Sequence, residues 1–182
     1  LQLVASILSM QSRKCADLST KRILQENVGR VLSIATIHDI LTHHSNDSMF
    51  VSSRILFDKL RMNMQSLAPP GKSVVISVDG DDVLLDVDVA TPVSMVITEL
   101  LTNALEHAFE GRSEGQVTVS LHAGSLYHTV TVADNGIGFD PFDQDGSSMG
   151  LSIVSATVRD KLKGKLRVSS DDSGTRMSFD FR

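Results

Sequence analysis

The chain has 182 residues, 41% of them hydrophobic, and 17 Lys+Arg against 22 Asp+Glu give a net charge of −5. This is enough apolar content to fill a core, which excludes a disordered chain, and no apolar run approaches the roughly 18 residues of a membrane span. Residues 1–68 carry 8 basic and 5 acidic side chains while residues 69–182 carry 9 and 17, a balance that disfavours nucleic-acid wrapping by the larger part. Cys15 is the only cysteine, so neither an intrachain disulfide nor a thiolate metal cluster is available, and a cytoplasmic setting without membrane contact is expected. The chain opens with Leu1 inside an apolar periodic stretch rather than with Met, which reads as a piece of something longer.

Leu1, Val4 and Leu8, with Leu3, Ile7 and Met10, recur at helical spacing, and Asp17 to Thr20 supplies turn and cap residues. Leu24, Val28, Val31, Ala35 and His38 then follow at spacings of 4, 3, 4 and 3, flanked by Ile23, Ile34, Ile37 and Leu41. Such a broad seam predicts an antiparallel helical hairpin that pairs with a second copy into a four-helix bundle, hence a homodimer. The polar stretch His43 to Ser48 reads as a boundary between domains at 1–46 and 47–182. Met49 to Leu67 is a further predicted helix, ended by Ala68-Pro69-Pro70-Gly71. Ser73 to Val78 and Val83 to Val87 alternate as strands about the turn Asp79 to Asp82, and residues 93–109 form a helix. Gln116 to His122 and Leu126 to Ala133 make a hairpin, residues 135–149 a glycine-rich loop, and Leu151 to Leu162 a helix stopped by Lys163-Gly164. Lys165 to Ser169 and Arg176 to Phe181 close the chain as strands about Asp171 to Gly174. The order predicts an α+β sandwich: one mixed sheet with helices on a single face.

Three segments exceed what packing asks for. Glu99, Asn103 and His107 stand at i, i+4 and i+8 on one helix face, lining up a carboxylate, an amide oxygen and an imidazole; hard oxygen donors of this kind suit Mg²⁺, and a solvated polar face is the plain alternative. Asp134-Asn135-Gly136-Ile137-Gly138-Phe139-Asp140 directly follows a strand. Its acid can accept from an exocyclic amine, and Gly136 and Gly138 let backbone lie flat against a ring. Ser147-Ser148-Met149-Gly150-Leu151-Ser152-Ile153-Val154 runs from a loop into a helix whose free N–H groups suit phosphate. Singly, the second is often only a turn and the third is a weak signal.

Together, Glu-x-x-x-Asn on a helix, D-N-G-I-G-F after a strand, a loop leading to G-L-S-I-V, and Gly174-Thr175 before the last strand resemble the N, G1, G2 and G3 boxes of the GHKL ATPases. This is the Bergerat-fold family that includes histidine kinases and DNA gyrase, and the resemblance covers about residues 73–182. The stretches L-Q-L-V-A-S-I-L-S-M-Q-S-R and R-V-L-S-I-A-T-I-H-D-I-L look like the dimerisation helices of HisKA_2 histidine kinases, whose phospho-accepting histidine lies in an H-R-x-x-N-N stretch just before the L-Q. That stretch would precede Leu1, so the chain is expected to lack its own acceptor. The resemblance implies that Asp134 accepts from the adenine amine, Gly136 and Gly138 floor the adenine pocket, and Thr175 hydrogen-bonds near it. It further implies that Asn103 ligates Mg²⁺, that Glu99 orients or deprotonates the acceptor histidine, and that His107 contacts phosphate or ribose. Gly150 and the Leu151 amide meet the phosphates, and residues 140–149 form the ATP lid. Two positions depart from the pattern: Glu106 stands where such kinases commonly carry Lys, and Ser152 replaces the second glycine of G-L-G-L.

The acidic set Asp79, Asp81, Asp82, Asp86 and Asp88 lacks the glycine and terminal Glu of an EF-hand and reads as a turn between strands. Lys161, Lys163, Lys165 and Arg167 fall where a helix C-terminus favours cations, His43 and His44 read as capping or exposed residues, and Asp143-Gln144-Asp145-Gly146 as lid. The expected function is the ATP-binding and dimerisation core of a sensor histidine kinase, passing the ATP γ-phosphoryl group to a histidine and then to a response-regulator receiver aspartate. The alternatives are an anti-sigma-factor serine kinase, which lacks the long helical hairpin, and a catalytically degenerate nucleotide-binding scaffold, which Glu106 and the missing acceptor stretch favour.

Overall fold

The computed structural model describes residues 50–66, 71–139 and 149–182, and before them positions 7, 10, 11, 17, 20, 24, 27, 28, 31, 35, 36 and 39. His38, His43, His44, the Ala68-Pro69-Pro70 stop and the expected lid at 140–148 lie outside the described residues. Leu24, Val28, Val31 and Ala35 are helical, with Val28 and Ala35 buried and the other two half-buried. Asp17 accepts from the Thr20 N–H at 2.8 Å, as a helix-capping acid does.

From residue 50 the elements are β1 (Phe50–Ser52), α1 (Ser53–Gln65), β2 (Ser73–Gly80), β3 (Leu84–Asp86), α2 (Val87–Asn103), β4 (Glu114–His122), β5 (His128–Asp134), α3 (Met149–Asp160), β6 (Leu166–Asp171) and β7 (Gly174–Phe181). Five strands form a mixed sheet in the order β2-β4-β5-β7-β6, with β2 and β4 parallel and the other pairs antiparallel. Alternation along these strands turns Val74, Ile76, Val117, Val119, Leu121, Val130, Val132, Met177, Phe179 and Phe181 into the core. Among the described residues, α1, α2 and α3 pack against that face. On the other face the strands carry hydroxyls that pair across the ladder, Ser77 with Thr118 at 3.0 Å and Thr131 with Ser178 at 2.9 Å.

Four expectations about elements change. The segment after Asp82 does not return along β2; it pairs as β3 with Phe50–Ser52 in a separate two-stranded ribbon, Val51 opposite Leu85. Residues 50–52 are therefore a strand rather than the first turn of a helix, because Val51 and Leu85 are both buried by that pairing. The helix expected from residue 93 begins six residues earlier. Asp86 caps it by accepting from the Asp88 N–H at 2.9 Å, and Pro92 is tolerated inside it at the cost of one backbone bond. It also does not run on as an α-helix: Ala104–Ala108 form a π-turn, a local widening that is frequent at functional sites.

The acidic loop between β2 and β3 is a capping device. Asp82 accepts from the Ser52 hydroxyl at 2.9 Å, the Ser53 hydroxyl at 3.1 Å and the Arg54 N–H at 3.0 Å, and Ser53 Oγ in turn accepts from the Val83 N–H at 3.0 Å. Asp81 accepts from the Ala123 N–H at 2.8 Å. Among the described residues no group of three His, Cys, Asp or Glu side chains is placed to hold a metal ion.

Candidate active site

The site forms where β5 ends beside the π-turn. Asp134 is the last residue of β5, and Asn135 extends the ladder by one step: its N–H donates to the Gln116 carbonyl at 3.2 Å and its Oδ1 accepts from the Gln116 N–H at 2.8 Å. The chain then turns under Asp134, whose Oδ1 accepts from the Gly136 N–H at 2.9 Å and from the Thr175 N–H at 3.2 Å. Among the described residues no donor is assigned to Oδ2. Burial pushes the Asp134 carboxyl above the usual carboxylate range, opposed by the Gly136 and Thr175 N–H groups and by the Arg112 charge. The result is a partly desolvated acid with one oxygen committed to holding the loop and the other free to accept.

The loop after Asp134 is wedged between two parts of the fold. The Ile137 N–H donates to the Ala108 carbonyl at 2.9 Å, and a Cβ on Gly136 would lie 2.2 Å from that carbonyl oxygen. Gly138 has φ of +68° and a Cβ there would lie 2.0 Å from the Asp171 carbonyl. Both glycines are therefore required first by protein packing. The Phe139 N–H donates to Ser170 Oγ at 2.9 Å, and Ser170 Oγ pairs with Thr175 Oγ1 at 2.9 Å. Thr175 is buried, and the neighbouring Ile137 and Phe139 are 42% and 40% exposed, leaving apolar surface beside a polar acceptor.

On the helical side, Glu99 and Asn103 stand one turn apart on α2, and Glu99 is 93% buried, being 7% exposed. Its Oε1 lies against Gly150, the second residue of α3, at the place where a Cβ would come within 2.1 Å. Asn103 Nδ2 is buried with no hydrogen-bond partner among the described residues. His107 falls inside the π-turn, so it does not occupy the α-helical i+4 position relative to Asn103. Its ring is exposed, with Nε2 3.9 Å from a Glu106 carboxylate oxygen.

The structure thus brings Asp134, Gly136, Gly138 and Thr175 into one cluster, and Glu99 and Gly150 into a second, with Asn103 beside Glu99 on α2. Leu151 follows Gly150 in α3 and is half-buried. Sequence reasoning missed Ala108, Ser170, Arg112 and Asn135. Arg112 donates to the Asn135 carbonyl at 2.6 Å, and Ser170 stands directly opposite Thr175 in the β6–β7 register. Asn135 sits inside the D-N-G-I-G-F motif but its pairing with Gln116 appears only in the fold, and the contacts of the other three rest on backbone carbonyls and strand pairing, which leave no motif.

Residues 88–182 match the family model described as "Histidine kinase-, DNA gyrase B-, and HSP90-like ATPase", and residues 1–68 match HisKA_2, described as "Histidine kinase". The chain is 37% identical over 169 residues to the sensor histidine kinase PdtaS of Mycobacterium tuberculosis, covering 91% of this chain and 33% of that protein. It is 34% identical over 179 residues to PdtaS of Mycolicibacterium smegmatis, covering 96% and 35%. The chain therefore spans about a third of the length of these curated relatives. The histidine kinase domain of the Erythrobacter litoralis EL346 blue-light-activated histidine kinase superposes with a TM-score of 0.77 at 22% identity, over 98% of this chain and 83% of that one. That likeness shows the α+β fold.

Proposed function

This chain belongs to the histidine kinase-, DNA gyrase B- and HSP90-like ATPase family, and on that premise we propose that it is the dimerisation and ATP-binding core of a sensor histidine kinase. The observation that carries the reading is Asp134: one carboxylate oxygen is held by two backbone N–H groups, and among the described residues no donor reaches the other. An acceptor-only group so placed selects a ligand with an exocyclic amine, and the half-exposed Ile137 and Phe139 offer apolar surface to a ring. Adenine has both features.

The phosphate end belongs to Asn103, His107, Gly150 and the Leu151 N–H. The Asn103 amide nitrogen, without a hydrogen-bond partner among the described residues, fits an oxygen-rich neighbour, and Asn103 would hold Mg²⁺ through its Oδ1 once the amide is turned. A single protein ligand suits this ion, which relies on substrate phosphates and water for the rest of its shell. When bound, Mg²⁺ would neutralise charge on the transferred phosphoryl group. The chain's own contribution is positioning: Asp134, Gly136, Gly138 and Thr175 fix the base, the first turn of α3 turns its N–H groups toward the phosphates, and Glu99 orients or deprotonates the acceptor histidine. A response-regulator receiver aspartate would take the phosphoryl group from that histidine.

The helical segment at residues 1–46 is assigned to dimerisation and residues 47–182 to nucleotide binding, with a homodimer as the working unit. The HisKA_2 match over residues 1–68 supports a histidine kinase over an anti-sigma-factor serine kinase. Among the described residues no helix is long and apolar enough to cross a membrane, and the cytoplasm is the proposed location. The test is calorimetric titration with ATP and Mg²⁺, then incubation of the chain with labelled Mg-ATP and a separate helix bearing the acceptor histidine. Acid-labile label on that helix is the expected result. Nucleotide binding without any transfer would favour the scaffold reading.

A further inference from the structure

Glu99 and Gly150 have separate roles in the proposed function, one toward the acceptor histidine and one toward the phosphates, yet they touch. Glu99 is 93% buried, and its Oε1 occupies the position a side chain at residue 150 would need, 2.1 Å from the place of a Cβ. Only glycine at 150 lets the carboxylate approach so closely. Gly150 is the second residue of α3, a helix of 12 residues. The first N–H groups of such a helix have no acceptor within it, and the positive end of its dipole favours an anion. A carboxylate therefore rests at the helix end that the nucleotide phosphates must reach, and two anions cannot share that place without repulsion.

We propose that Glu99 is an internal anion at the N-terminus of α3, displaced when the nucleotide phosphates bind, so that it sets how strongly the site prefers phosphate-bearing over phosphate-free adenine ligands. The proposal rests on the nucleotide reading of the site. It makes Glu99 a residue whose carboxylate weakens binding of the ground-state nucleotide. It also ties release of that carboxylate toward the acceptor histidine to the arrival of phosphate. A carboxylate that merely supported phosphate or metal binding would act in the opposite direction.

The test compares ADP and adenosine, each titrated in the presence of Mg²⁺, on the unaltered chain, on Glu99→Gln and on Glu99→Asp. Glu99→Gln keeps the shape and removes the charge, and Glu99→Asp keeps the charge and withdraws it by one methylene. ADP is expected to bind about three- to tenfold tighter to Glu99→Gln, the size that a charge at a helix N-terminus supports, with a smaller gain for Glu99→Asp and no change for adenosine. ADP affinity that is unchanged or weaker in both variants, with adenosine binding intact, overturns the proposal and leaves the nucleotide site standing. An unaltered chain that binds neither ADP nor adenosine overturns the nucleotide reading and this proposal with it. Should Glu99→Gln fail to fold, Glu99→Asp carries the same sign of effect and decides alone.

Discussion

The Thr175 N–H donates to Asp134 Oδ1 across 3.2 Å, joining the end of β5 to the start of β7 through one carboxylate oxygen. Gly174 makes that approach possible: its φ is +133°, and a Cβ there would lie 2.0 Å from the Asp134 carbonyl oxygen. The acid proposed to select adenine is thus also the clamp that closes its own pocket.

Asp134→Asn should separate these two duties. The Asn Oδ1 can still accept from Gly136 and Thr175, while the second position becomes a donor and no longer suits an amine. Burial raises the Asp134 pKa above its value in the unfolded chain, so its ionisation costs folding free energy as pH rises through the raised value. The variant should therefore lose ATP binding yet melt at the same or a higher temperature than the unaltered chain at neutral pH. That gap should close as the pH is lowered until Asp134 is protonated. Thermal melts across pH beside an ATP titration check both halves, and unchanged ATP affinity would remove Asp134 from the site.

Gly136→Ala should damage binding through packing. Its Cβ would meet the Ala108 backbone at 2.2 Å, forcing the Ile137 N–H off the Ala108 carbonyl, with an overpacking cost of about 1–3 kcal/mol. Gly111→Ala is the control. Gly111 has φ of +71° and nothing within 4 Å, so backbone strain of about 1 kcal/mol should appear there with nucleotide affinity unchanged. A tenfold or greater loss of ATP affinity is expected for Gly136→Ala alone, read by calorimetry against urea midpoints.

Asp82→Ala should destabilise the domain by about 1 kcal/mol, the usual scale for removing the acceptor at a helix start. The Arg54 N–H, followed by the Ser52 and Ser53 hydroxyls, lowers the Asp82 pKa. Its contribution is therefore complete above the ordinary carboxylate range and fades as pH falls through the lowered value. Urea denaturation at neutral pH should show the loss, and at strongly acidic pH the two chains should converge. ATP affinity should not move, since α1 and the β2–β3 loop stand apart from Asp134 and Gly150.

Val31→Asp tests the dimer. Val31 lies on the helical seam between buried Val28 and Ala35 and is itself only half-buried, which leaves apolar surface for a second copy. Sedimentation should show a homodimer at micromolar concentration for the unaltered chain and monomers for the variant, because an unpaired charge in such a seam costs several kcal/mol, on the order of the loss seen when a buried ion pair is broken. A monomeric unaltered chain would remove the dimer.

What the sequence determined by itself was whatever depends on near neighbours. The alternation in β4 and β5, the apolar stripe of α2, the stop at Lys163-Gly164 and the turn before Gly174 are local patterns, and each was legible because side-chain period and turn chemistry act over a few residues. The segments proposed for the site stood out for the same reason, since Glu99 to Asn103 and Asp134 to Gly138 are short and keep fixed spacing. Tertiary structure decided what depends on distant partners. Leu84–Asp86 alternates as any edge strand would, and only the burial of Val51 against Leu85 assigns it to β1 rather than β2. The π-turn at Ala104–Ala108 has no signature in the sequence, and its Ala108 carbonyl meets Ile137, 29 positions further on, only in the folded chain. Glu99 and Gly150 are 51 positions apart, so their contact belongs to the packing of α2 against α3, where chain distance carries no information and shape and charge decide.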